Sequence, residues 1–250
     1  MKKLIIAFIA IASSFAPLPA KELPPAAIEQ LKGAIGLVDQ GMAEAAMLDL
    51  DALAKEYPDD YIVQYERLFA LYHLEKYEEV AAGAKKLIKH KDATPVVFQM
   101  YGNVVDILGK PKEAIKIYKK GLKRFPDAGY LYLEIGNVHV SQNDYAAALA
   151  SFNKGIDVQP DFSSNYYRAG LLYLCTEEAK VWGLVYAETS ILLNPDNEER
   201  HSHMGMAIHN CFTDNISIEQ TDGKTEAKIS LAPSRGISLN PEEDAGVVQF

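Results

Sequence analysis

Four Pro-Asp pairs divide the chain at a nearly constant interval. They stand at Pro58-Asp59, Pro126-Asp127, Pro160-Asp161 and Pro195-Asp196. Pro126 to Pro160 is 34 residues and Pro160 to Pro195 is 35, while Pro58 to Pro126 is 68, twice 34, with Asp92 at the midpoint. Such a fixed period means one supersecondary unit repeated along the chain. Proline lacks an N–H and stops a helix, and a nearby Asp can cap the next one. Each pair is therefore predicted to close one helical unit and open another.

The residues between the markers agree in register. Tyr101-Gly102-Asn103 aligns with Ile135-Gly136-Asn137, Ala114 with Ala148, Tyr118 with Phe152, and Gly121 with Gly155. Lys110-Pro111-Lys112-Glu113-Ala114 matches Asp144-Tyr145-Ala146-Ala147-Ala148, a turn leading into a second helix. The pattern resembles the tetratricopeptide repeat (TPR) family, whose units are paired helices with small residues at positions eight and twenty and proline near thirty-two. The resemblance implies an all-α solenoid of about five repeats, at 27–60, 61–94, 95–128, 129–162 and 163–197, closed by a capping helix at 198–210. The second repeat is degenerate, with Leu68 and Val80 at the small positions, and the second helix of the fifth, through Gly183 and Ala187, is displaced by one residue. Physically, a two-helix unit cannot bury its apolar faces alone, so units stack and share a core. Gly136 is expected to let the second helix approach near Ala148, and residues such as Tyr132, Ile135, Leu149 and Phe152 to fill the space between helices.

The two ends of the chain read differently. Met1-Lys2-Lys3, an apolar run from Leu4 and the small residue Ala20 form the pattern of a secretory signal peptide, residues 1–20, cut after Ala20. The solenoid then occupies 21–212, and 213–250 is a C-terminal hairpin and tail. Ile216-Ser217-Ile218 and Ala227-Lys228-Ile229 alternate apolar with polar around Thr221-Asp222-Gly223-Lys224, a β-hairpin expectation for 216–231. No later segment is apolar for long enough to span a bilayer. The expected location is periplasmic or secreted.

Charge and chemistry narrow the function. With 34 acidic against 25 basic residues the net charge is −9, which repels phosphate backbones and disfavours nucleic acid. No phosphate loop, nucleophile elbow or metalloprotease motif occurs, so the chain reads as a non-enzyme without cofactor. His201, His203 and His209 are spaced too awkwardly on a helix for one metal site. Cys175 and Cys211 are 36 residues apart, close to one repeat, and an oxidising compartment favours a disulfide between them.

The TPR resemblance also implies a concave groove lined by the first helix of each repeat. Its frame places Tyr65, Phe69 and Tyr72 there from repeat two, and Gln99, Asn103 and Asp106 from repeat three. Repeat four adds Tyr130, Leu133, Glu134 and Asn137, and repeat five adds Tyr167, Arg168, Leu171 and Leu174. Asn103 and Asn137 are expected to face solvent and hold a peptide backbone. Chaperone-type carboxylate clamping is disfavoured: Asn103 and Arg168 match that clamp, but Gln99, Glu134 and Ser164 do not, and a glutamate repels a carboxylate. The expected function is a protein-protein interaction scaffold in the bacterial envelope. The alternative is a periplasmic assembly or secretion factor or chaperone, with an enzyme or small-ligand carrier further behind. The sequence leaves the oligomeric state open.

Overall fold

The computed structural model describes residues 23–176, 179–213, 216–221 and 224–229. The signal-peptide expectation, 1–20, and the tail from 230 lie outside the described residues. Eleven helices are present among those described: α1 (Pro25–Asp39), α2 (Ala43–Glu56), α3 (Tyr61–His73), α4 (Tyr77–Leu87), α5 (Pro95–Ile107), α6 (Pro111–Arg124), α7 (Gly129–Ser141), α8 (Tyr145–Val158), α9 (Ser163–Leu174), α10 (Lys180–Leu193) and α11 (Glu198–Thr213). The repeat fold is an all-helical, TPR-like solenoid. After it come two short stretches, β1 (Ile216–Thr221) and β2 (Lys224–Ile229), paired antiparallel from Ile216↔Ile229 to Thr221↔Lys224. Neither the repeat core nor the site described below involves them.

Two compact units divide the chain between Ala70 and Leu71, within α3. In the first unit, α1, α2 and the start of α3 share a core of Leu31, Ala34, Val38, Leu50, Leu53, Val63 and Ala70. Arg67 of α3 pairs with Asp51 of α2 at 2.6 Å, and the Gln64 amide donates to the carbonyl of Ala54 at 3.1 Å. In the second unit, α5 packs on α6, α7 on α8 and α9 on α10. The first helices α5, α7, α9 and α11 also touch in succession.

The turns show how the period is built. Each Pro-Asp pair forms the middle of a turn, not a helix cap. The turns close through Asp60 N–H to the Tyr57 carbonyl (3.2 Å), Ala128 to Phe125 (3.3 Å), Phe162 to Gln159 (3.2 Å) and Asn197 to Asn194 (3.4 Å). Proline suits the second position of such a turn because its φ is already set and its missing N–H has no bond to make. At two of the four turns the capping role expected of the Asp beside the proline passes to the next residue, whereas Ala128 and Phe162 stand at that position in the other two and make no side-chain cap. Asp60 accepts from Val63 N–H at 3.0 Å and Asn197 from Arg200 N–H at 2.9 Å.

A second 34-residue series lies in the turns inside the repeats. Gly41, Glu75, Gly109 and Asn143 all have positive φ, between 56° and 77°. In each case the following N–H reaches back five residues, as from Met42 to Leu37 (2.9 Å) and from Lys110 to Val105 (3.0 Å). This is the left-handed termination of a helix, which glycine accommodates without strain. Four residues of three types occupy the series, so composition alone does not reveal it.

Helices meet most closely at the small positions. A Cβ on Gly136 would lie 2.1 Å from the Phe152 ring, and one on Gly102 would lie 2.1 Å from the Tyr118 ring. The partner over Gly136 is therefore Phe152, one turn beyond Ala148. Both aromatic rings are fully buried, and such burial contributes about 1.5–3 kcal/mol each. Gly183 of α10 likewise faces Leu174, where a Cβ would meet the Leu174 backbone nitrogen at 2.7 Å.

Two outcomes test this packing. Gly136→Leu should destabilise the chain by about 1–3 kcal/mol through overpacking, whereas Gly205→Ala, with open space around it, should stabilise α11 by about 0.5–1 kcal/mol. Opposite shifts of Tm are expected, and equal shifts would contradict the packing. Glu75→Gly should relieve a left-handed non-glycine residue and raise stability by about 1 kcal/mol, while Gly109→Ala should lower it by about as much, both read from urea midpoints.

Candidate functional site

The first-helix face of the second unit is organised around one acid. Glu134, in the middle of α7, is only 8% exposed. The Gln99 amide of α5 donates to its Oε1 at 2.7 Å, and the Asn137 amide, one turn along α7, donates to Oε2 at 3.4 Å. Burial lifts the Glu134 carboxyl above its ordinary range. The amides of Gln99 and Asn137 and the charge of Arg168 pull it partly back, and Asp106 adds to the lift. Asn103 sits one turn after Gln99 on α5, and its Oδ1 accepts the Tyr118 hydroxyl of α6 at 2.7 Å. Burial pushes that phenol well above its usual range, and Glu134, Asp106 and Tyr72 reinforce the effect. Burial raises Asp106 as well. Tyr72, Gln99, Asn103, Asp106, Tyr118, Glu134, Asn137 and Arg168 thus form one electrostatically connected polar layer.

This arrangement corrects part of the expected groove wall. Asn103 and Asn137 are half-buried and hydrogen-bonded, not freely solvated, because each repeat supplies a polar partner at the same level. Gln99 and Glu134 are buried against each other for the same reason. Leu133 packs into a core with Val140, Ala148, Phe152, Ala169 and Leu172, where α9 covers it. Tyr167, Leu171 and Leu174 are covered by Met204, Ala207 and Cys211 of α11. The Tyr167 hydroxyl bonds His203 Nδ1, and the Arg200 guanidinium lies 4.9 Å from its ring centre. These four side chains serve the stack. Asp106, Tyr130 and Arg168 remain half-exposed on this face, with Asn103, Asn137 and Tyr72.

In the first unit, Tyr65 and Phe69 continue an aromatic row from Tyr61, with ring centres 6.1 and 6.3 Å apart. Beside it, burial and the neighbouring Asp39 push the Glu66 carboxyl up to about 7.

The expected disulfide is absent: Cys175 and Cys211 are two thiols. Cys211 is buried in the α9–α11 core as a small apolar side chain, whereas Cys175 caps the end of α9 and is half-exposed. Among the described residues, no three or more His, Cys, Asp or Glu side chains converge as metal ligands. His201 Nε2 is instead engaged with the Asn194 carbonyl at 2.8 Å. Among the described residues, no helix is long and apolar enough to cross a membrane.

Known proteins agree with this architecture. The tetratricopeptide repeat family model matches residues 108–170, from the end of α5 into α9. Anaphase-promoting complex subunit 3 of Schizosaccharomyces pombe is 23% identical over 165 residues, 65% of this chain, and the chain spans only 25% of that protein's length. Among solved structures, PilF of Pseudomonas aeruginosa is similar with a TM-score of 0.61 and 16% identity, covering 76% of this chain and 85% of that one. PilW, a type IV pilus biogenesis factor, gives 0.60 and 14%, covering 75% and 86%. A thermophilic TPR protein of Thermus thermophilus gives 0.59 and 16%, covering 73% and 99%. At these identities the structural likeness establishes the TPR-like fold.

The polar layer can be tested by a double-mutant cycle. Gln99→Leu strips Glu134 of its short donor, and Glu134→Leu leaves two amides without their acceptor. Each should cost about 1–3 kcal/mol in urea unfolding. The double variant replaces both partners by apolar groups and should cost clearly less than the sum. Strict additivity would mean that the contact contributes nothing.

Proposed function

We propose that the chain is a non-catalytic protein-protein interaction scaffold, exported to the bacterial envelope, that seats an extended segment of a partner on the first-helix face of its second unit. The observation that carries this reading is the internal anchoring of Asn103 and Asn137. Tyr118 occupies the Oδ1 of Asn103, which leaves its amide hydrogens for a partner carbonyl. Glu134 takes a hydrogen from Asn137, which leaves its Oδ1 for a partner N–H. One donor and one acceptor on neighbouring helices match what an extended backbone offers. Packed helices lie roughly 8–10 Å apart, and an extended chain advances about 3.3 Å per residue, so the two amides suit peptide groups about three residues apart. Asp106 and Arg168 flank them with opposite charges, and Tyr130 supplies contact area. Export is supported by the basic, apolar and small-residue order of Met1–Ala20.

Site-directed photocrosslinking in the source cells tests the reading. A photoreactive residue at Asp106 or at Arg168 should give an adduct with the same partner protein. The same residue at exposed Lys120 of α6 should not. Thermal melts of each variant show that the fold is kept. Adducts from position 120 alone, or equally from all three positions, would move the binding face elsewhere.

A further inference from the structure

The helices that form the outer side of the repeats are not alike. On α6 the exposed positions include Lys112, Lys116, Lys119, Lys120 and Lys123. On α4 they include Glu78, Glu79, Lys85 and Lys86. On α10 all but one are apolar: Val181 is 72% exposed, Trp182 60%, Val185 49% and Leu192 76%. Positions 181, 185, 188 and 192 advance by four, three and four residues, so they line one face. The opposite face, Gly183, Ala187 and Ser190, is the one buried. Scattered exposed apolar residues need no explanation, but three on one line of a helix with Trp182 beside them do. Helix propensity does not supply one, since Val is a mediocre helix former. The one-residue displacement of this repeat turns Gly183 inward against Leu174 and leaves Trp182 outside.

One charge interrupts the stripe. Glu188 stands between Val185 and Leu192, is exposed, and makes no ion pair among the described residues. It is the only acidic residue of α10, and the only basic one, Lys180, is buried. We propose that this face docks an amphipathic helix of a partner protein, with an apolar stripe that carries a Lys or Arg opposite Glu188. The sign of the charge selects the occupant. A second copy packed α10 against α10 brings Glu188 toward Glu188 in an apolar seam. A second copy packed through α6 offers lysines without an apolar stripe. The chain's own residues 230–250 carry Glu242, Glu243 and Asp244 against a single Arg235, the wrong sign. An anionic lipid surface finds no exposed cation on α10. A basic amphipathic helix supplies both the apolar area and the charge.

The chain contains one tryptophan, Trp182, so its fluorescence reports on this face alone. Two synthetic amphipathic helical peptides serve as probes, identical in their Leu stripe and differing only in a Lys or a Glu at the central stripe position. Titrated into the full chain, the Lys peptide should shift Trp182 emission to shorter wavelength and bind about tenfold tighter than its Glu twin. Glu188→Lys should invert that preference. Val185→Asp should abolish binding with unchanged circular dichroism. Three results would overturn the proposal: no shift with either peptide, equal affinity for both, or no inversion in Glu188→Lys. So would a blue shift produced by protein concentration alone with dimers in sedimentation, by phosphatidylcholine vesicles, or by the presence rather than removal of residues 230–250.

Discussion

The structure depends on the close approach of paired helices at a few positions that carry no side chain. At Gly102 and Gly136 the rings of Tyr118 and Phe152 lie where a Cβ would stand. Aromatic groups there touch the backbone of the first helix directly, and the two helices become one buried surface. That surface is then offered to the next pair, which is why Leu131, Leu133, Ala169 and Leu172 are all buried on first helices. Close approach within each pair thus sets the spacing between repeats, and the spacing aligns side chains at equal levels of neighbouring first helices.

The polar layer follows from that alignment. Gln99 and Glu134 are 35 residues apart and meet at 2.7 Å because successive repeats bring them to matching heights. A carboxylate this deep is costly unless donors surround it, and Gln99 and Asn137 supply them. The same bonds fix the amides of the second unit's first-helix face before any partner arrives. Side chains held in this way lose less freedom on binding than solvated ones, which favours recognition by a preorganised face.

Toward its end the solenoid changes character. The first helix α11 takes over the role of a next repeat, covering Tyr167, Leu171 and Leu174 and drawing Cys211 into the core. On the outer side, α10 abandons the charged surface of α4 and α6 for Val181, Trp182, Val185 and Leu192. The second unit therefore presents two chemically distinct faces: a hydrogen-bonding one on the first helices α5 and α7 and an apolar one on the second helix α10.

The sequence by itself determined the repeat. The spacing of Pro58, Pro126, Pro160 and Pro195 at one or two periods of about 34 residues, with glycine or alanine at fixed offsets, specifies paired helices, because turns and close contacts demand particular residue types. The first-helix frame also led to Gln99, Asn103, Glu134 and Asn137, since period alone assigns a residue to a face. What period cannot assign is the depth of a residue on that face. Leu133, Tyr167 and Leu171 are buried because the next helix lies over them, and that depends on inter-repeat packing. Tyr118, from a second helix, enters the polar layer because the close α5–α6 contact at Gly102 brings its hydroxyl to Asn103. The left-handed series Gly41, Glu75, Gly109 and Asn143 escapes composition because backbone hydrogen bonds, not residue type, maintain it. Only the tertiary structure decided that Cys211 is buried in the α9–α11 core while Cys175, at the end of α9, is half-exposed, because a spacing of one repeat does not fix a residue's depth.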